Sequence, residues 1–127
     1  MRTTATVLQM IVRICGLIQI VLGLLFWTNN ARTLVPVHML VGTLLVVSLI
    51  ALAVVAALAG VKIGFVILAI VWGLVTLLLG LTQTQLLPGT AHWIIQVLHL
   101  LIGLGAIGQG ENLGRRIKQT PRPALQA

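Results

Sequence analysis

The chain has 127 residues, of which 59% are hydrophobic and only 7% charged. That length holds one compact unit, and so little polar surface excludes a water-soluble domain of this size. The net charge of +7 comes from eight basic residues against one acid. The basic residues sit at the ends of apolar runs, without the aromatic interleaving of a nucleic-acid surface, so they read as topology signals. Cys15 is the single cysteine, so no intramolecular disulfide forms.

A helix needs about 20 mainly apolar residues to cross the hydrocarbon core. Met1-Arg2-Thr3-Thr4 is a weak n-region. The apolar run after it carries Arg13, continues to Trp27 and offers no small-x-small cleavage site, so it reads as a retained first span over about 7–27. The polar turn Asn29-Asn30-Ala31-Arg32 separates it from an uncharged second span, 36–59. Gly60-Val61-Lys62 is a tight turn. The third span, 63–85, runs into Gln83-Thr84-Gln85 and the loop at Pro88-Gly89. The fourth, 91–108, is expected to end at Gln109-Gly110-Glu111-Asn112. The bundle then occupies 1–114, and 115–127 reads as a basic, disordered cytoplasmic tail that touches anionic lipid. Arg13 is expected to snorkel to the inner surface, and Glu111 to pair with Arg115 at i+4.

Arg2, Arg13, Lys62, Arg115, Arg116, Lys118 and Arg122 fall on one side of this topology and only Arg32 on the other. That bias predicts a multi-pass protein of the cell inner (plasma) membrane with both termini cytoplasmic.

The halves resemble each other. Cys15-Gly16-Leu17-Ile18-Gln19-Ile20-Val21-Leu22-Gly23-Leu24 matches Trp72-Gly73-Leu74-Val75-Thr76-Leu77-Leu78-Leu79-Gly80-Leu81 at five of ten positions, and Val37-His38-Met39-Leu40-Val41-Gly42 aligns with Leu98-His99-Leu100-Leu101-Ile102-Gly103. The order is the same in each half, so the fold class expected is an all-α integral membrane four-helix bundle built from two parallel helical-hairpin repeats.

The repeat makes His38 and His99 equivalent and puts them on facing helices at similar depth. Neutral imidazoles on facing helices are what a bis-histidine haem needs, and ionisable residues inside a span are functional by default. Gly42 and Gly103, each at i+4 from its histidine, would leave room for a flat macrocycle. His92 and Arg32 are candidate partners for a propionate. On the fourth helix the small and polar seam is His92, Gln96, His99, Gly103, Ala106 and Gly110; Gly16, Gln19, Gly23 and Gly73, Thr76, Gly80 are the matching stripes of the first and third. Glycine stripes also serve plain helix packing, an intramembrane histidine can be a hydrogen-bonded core residue, and His92 beside Trp93 can be interfacial.

Gln19-Ile20-Val21-Leu22-Gly23, Val37-His38-Met39-Leu40 and Leu98-His99-Leu100-Leu101 resemble the helix patterns of one half of the heme A synthase family, over about residues 7–108. The resemblance implies a four-helix half offering a histidine pair to a haem, and dimerisation of a half-length member. That family's acid near the outer side of the histidine-bearing helices has no counterpart here, nor do its outer-loop cysteines. The resemblance therefore carries over the scaffold and ligand pair rather than the oxygenation of a haem methyl. The outline is also similar to small b-type cytochromes that exchange electrons with quinone.

The expectation is a membrane b-type cytochrome binding haem b, or another porphyrin or chlorin, through His38 and His99. It would transfer electrons alone, as a homodimer or as a subunit of a larger redox complex. The alternative is a cofactor-free structural or assembly subunit. A small proton-coupled transporter would need a membrane-embedded carboxylate that the chain lacks, and no hydrolase motif is present.

Overall fold

The structure, a computed structural model, describes residues 1–121; the part of the expected disordered tail at 122–127 lies outside the described residues. The described chain is all-helical: α1 (Arg2–Trp27), α2 (Val35–Leu58), α3 (Ile63–Thr82) and α4 (His92–Gln119), with single 3-10 turns at Arg32–Leu34 and Gln83–Gln85. The connections follow local chemistry. Asn29 takes a left-handed φ of 63° at the end of α1, where the Asn30 N–H reaches back to the Leu25 carbonyl at 2.8 Å. Gly60 does the same after α2 with φ 79°, and the Val61 N–H bonds the Ala56 carbonyl at 3.0 Å. Both are Schellman closures, which satisfy carbonyls a helix end would otherwise leave bare. Pro36 sits in the first turn of α2, where its missing N–H costs nothing.

The fourth helix departs from expectation. It does not end at 109–112 but continues to Gln119, and it takes Arg115, Arg116 and Lys118 into its last turns. The reason lies in the apolar stripe. Leu113 and Ile117, fully or almost fully buried, extend the face begun by Ala106 and Gly110, so the helix keeps a partner beyond the point where the sequence turns polar.

α2 touches all three other helices, and α4 lies against it across the bundle, whereas α1 and α3 do not meet. The face of α2 that faces inward is Leu45, Leu49, Leu52, Ala53 and Ala56, spaced at helical intervals and fully or almost fully buried. Against it pack Val12 and Cys15 of α1, Val66 and Ala69 of α3, and Ala106 and Leu113 of α4. This core sits toward the end that carries the α2–α3 turn, the start of α1 and the end of α4, where the Arg2 guanidinium donates to the Thr120 carbonyl at 3.1 Å. The opposite end is looser. α2 buries nothing before Leu45, α3 nothing after Gly73, and α4 only Ile95 before Ala106.

The outside is apolar. Leu40 is 71% exposed, Leu58 68% and Ile63 65%. All four helices are long and apolar enough to cross a membrane.

One helix contact gives a direct test. The indole of Trp72 lies against Gly105 and donates to the Ile102 carbonyl at 2.8 Å; a Cβ at Gly105 would come within 2.6 Å of the ring. Gly108, three residues on, has open space around it. Gly105→Ala is therefore expected to lower stability by about 1–3 kcal/mol through overpacking. Gly108→Ala is expected to be neutral or to add up to about 1 kcal/mol from helix propensity. Thermal unfolding of both variants in detergent, followed by tryptophan emission, checks the pair.

Candidate functional site

His38 lies in the first turn of α2 and His99 about two turns into α4, both at the looser end. Their ring centroids are 6.3 Å apart with planes inclined at 58°. Each ring is backed by a glycine of a flanking helix. The place a Cβ would take at Gly23 of α1 is 4.0 Å from His38 Cε1, and at Gly80 of α3 it is 3.2 Å from His99 Cε1. The edge of Phe26 meets the His38 ring at 5.3 Å.

Neither imidazole makes a hydrogen bond to any described residue, and Nδ1 of both is buried without a partner. Oε1 of Gln19 is buried and unpartnered too. Gln19, His38 and His99 line one cavity of about 60 Å³, together with Gly42, Thr76 and Gly80. Met39, Thr43 and Leu81, all exposed, form its outer side between α2 and α3.

The ring separation discriminates between contacts. A direct hydrogen bond spans about 2.7–3.2 Å between heavy atoms. With about 1 Å from each centroid to its own ring nitrogen, such a pair would stand roughly 5 Å apart. At 6.3 Å with a 58° tilt the rings stand farther apart than that, within the range of about 4.5–7 Å for ordinary ring packing. No group of three or more His, Cys, Asp or Glu side chains comes together among the described residues. A metal held by this pair would have to bring its remaining ligands with it.

The other residues expected at the site are distributed differently. Gly42 lines the cavity, but the space beside it is taken by the Gln19 amide. Gly103 has open space around it and does not line the cavity. His92 points its Nδ1 to the Leu86 carbonyl at 3.1 Å, and Arg32 is exposed on its 3-10 turn; neither lines the cavity. Gln19, in the sequence a member of the polar stripe of the first span but not a candidate ligand, lines the cavity, and Phe26 packs on His38. Gln19 carried a signal, as an amide inside an otherwise apolar run; Phe26 carried none.

A second polar cluster lies at the other end. Glu111 pairs with Arg13 of α1, not with Arg115: Arg13 Nε donates to Oε1 at 2.9 Å and Nη2 to Oε2 at 3.0 Å. Arg13 is thus held across the helix interface rather than extended alone. Gln9 donates to the same carboxylate at 2.6 Å and accepts from Lys118 Nζ at 2.8 Å. Gly110 and Gly114 face Val12 and Gln9 of α1, which lets the two helices approach closely enough for this pairing.

Comparison with known proteins returns nothing: no family model, curated protein or solved structure matches the chain.

The Arg13–Glu111 pair is bidentate but more than a third exposed at both partners. A double-mutant cycle with Arg13→Gln and Glu111→Gln is expected to give a coupling of about 1 kcal/mol or less. Unfolding in detergent at low and high salt measures it, with the smaller value at high salt.

Proposed function

We propose that the chain is a membrane b-type cytochrome whose His38 and His99 hold a haem b iron from both sides. The observation that carries this reading is the pair itself, with rings 6.3 Å apart and without hydrogen bonds among the described residues. Two protein donors with no third nearby suit an iron whose other ligands come from a macrocycle. A bound haem supplies one-electron chemistry, and two histidine ligands leave no open position for oxygen.

The donor set fits the group more readily than the space does. About 60 Å³ is well below the roughly 300–1,000 Å³ of small-molecule sites. The added room has to come from the looser end, by displacement of Gln19 from Gly42 and separation of α2 from α4 above Leu45. The core from Leu45 to Ala56 can stay closed while this happens. Gly23 and Gly80 let each histidine lie against a flanking helix, and Phe26 restricts the orientation of His38.

Parallel duplication belongs to the same proposal, and matching contacts support it. Gly23 meets His38 as Gly80 meets His99, and Gly16 meets Ile107 as Gly73 meets Val46. Ile107 and Val46 each follow their histidine by eight residues. The apolar exterior supports placement in the bilayer, and the basic end supports termini in the cytoplasm of an inner-membrane protein. The likeness to half of heme A synthase is consistent with this scaffold, and electron exchange with quinone or a larger redox complex follows from the same reading. The small cavity favours one competitor, a cofactor-free structural or assembly subunit.

The test is an absorption spectrum of protein produced with ample haem, oxidised and then dithionite-reduced. A sharp reduced α-band is expected, lost in His38→Ala and in His99→Ala and kept in His92→Ala. Size-exclusion chromatography and helical circular dichroism establish that each variant is folded. A flat visible spectrum from folded wild type would sink the haem reading in favour of the structural one.

A further inference from the structure

The basic end of the bundle contains more positive charge than its topology uses. Five basic side chains meet there from α1 and α4: Arg2, Arg13, Arg115, Arg116 and Lys118. Glu111 is the only acid in the chain, and Arg13 already holds it in a bidentate pair. Arg116 donates to Asn112 at 2.9 Å and lies 3.4 Å over the Phe65 ring, and Arg2 donates to the Thr120 carbonyl. Arg115 and Lys118 are different. Both are exposed, Arg115 has no polar partner among the described residues, and Lys118 uses one of its three N–H donors, on Gln9. They stand at i and i+3 on one face of α4.

Between them lies a hollow of about 330 Å³, lined by Gln9, Glu111, Arg115, Lys118 and Gln119. Its floor is built. Gln9 is only 7% exposed, because the bare Cα of Gly114 makes room for its amide, and that amide fixes the Lys118 ammonium at 2.8 Å. The carboxylate in the hollow is compensated by Arg13 and Gln9, so the charge left for a ligand is that of Arg115 and Lys118.

Depth indicates the source of an anion. The 28 residues of α4 span about 42 Å, against about 30 Å of hydrocarbon. With His92 at one interface, the last two turns project into the opposite headgroup layer, and Arg115 and Lys118 are in them. We infer that this hollow binds the phosphodiester of an anionic phospholipid, with Arg115 and Lys118 as its donors and Gln9 as the residue that positions Lys118. The inference rests on the membrane-spanning part of the proposed function and is independent of haem.

The experiment is native mass spectrometry of the full chain released from nanodiscs of phosphatidylcholine mixed with phosphatidylglycerol. Wild type is expected to retain one phosphatidylglycerol in preference to phosphatidylcholine. Arg115→Gln with Lys118→Gln should weaken that retention by more than about tenfold, because it removes the two charge-assisted donors to the phosphodiester. Arg2→Gln with Lys62→Gln removes equal charge outside the hollow and should change the preference less than about threefold, since it leaves those donors in place. Gln9→Leu, which keeps both charges, should fall between them. Equal loss in the two double variants would mean diffuse attraction and overturn the site. Displacement of the lipid by millimolar inorganic phosphate would make it a small-anion site instead and overturn the lipid assignment. Failure of the wild-type chain to enter nanodiscs would count against the membrane reading, whereas insertion without preference counts against this site alone.

Discussion

The buried face of α2 from Leu45 to Ala56 is the constraint on which the rest of the bundle depends. It meets all three other helices, as α4 also does, and α1 and α3, which do not touch, are joined only through these two. On the membrane reading, these helices gain little by hiding apolar surface from surroundings that are themselves apolar. Cohesion then has to come from close packing, which requires small residues where helices cross. Ala53, Ala56 and Ala69 are fully buried at such crossings, as is Ala106 of α4. The glycines serve the same end selectively. Gly16, Gly105 and Gly110 face a neighbouring side chain too closely for a Cβ, whereas Gly64 and Gly108 face nothing.

The two ends of the bundle solve opposite problems. At the basic end, a single carboxylate ties α1 to α4. The tie works because Leu113 and Ile117 keep α4 helical past Glu111 and carry the polar groups beyond the core. Each exposed ion pair contributes little by itself. What the cluster supplies is register: Gln9 reaches both Glu111 and Lys118, which lie about two turns apart on α4, so sliding α1 along α4 by one turn would break both bonds. At the histidine end there is no comparable tie. Among the described residues, Trp72 is the only side chain that bridges α3 to α4 by a hydrogen bond, and it does so near the middle. An end without such ties is the end that can part for a ligand.

Much of this was legible in the sequence because hydropathy and turn chemistry are local. Trp27, Gly60 and Lys62 marked their boundaries to within a residue or two, and Pro36 marked the start of α2. The end of α4 was not legible from hydropathy, which stops at the first charge; a helix stops only when its buried face runs out of partners, and Leu113 and Ile117 supply two more turns. The partner of Glu111 was missed for a related reason. Arg115 at i+4 is the nearest cation along one helix, but Arg13 faces the carboxylate across an interface whose closeness Gly110 and Gly114 set. At the site, equal spacing to the following glycine suggested equal surroundings for His38 and His99. The neighbours differ, since Gln19 fills the notch at Gly42 while Thr76, its counterpart on α3, returns its hydroxyl to the Trp72 carbonyl and leaves Gly103 open.

That asymmetry bears on how the histidine pair could hold a metal. A histidine that binds an ion through one ring nitrogen carries its proton on the other, and that N–H needs an acceptor. Each buried polar group left alone costs about 1–3 kcal/mol, so these atoms gain from any partner that reaches them. Among the buried, unpartnered atoms of the residues that line this cavity, the two Nδ1 atoms are suited to donate and Gln19 Oε1 to accept. Movement of Gln19 away from Gly42 would therefore do two things at once on the proposed reading. It would open the notch beside His38, and it would carry its unpartnered carbonyl oxygen to where it can orient one of the two rings. Only one such acceptor is present, so the two histidines would be held unequally, His38 and His99 differing in ring orientation despite their equivalent places in the two halves.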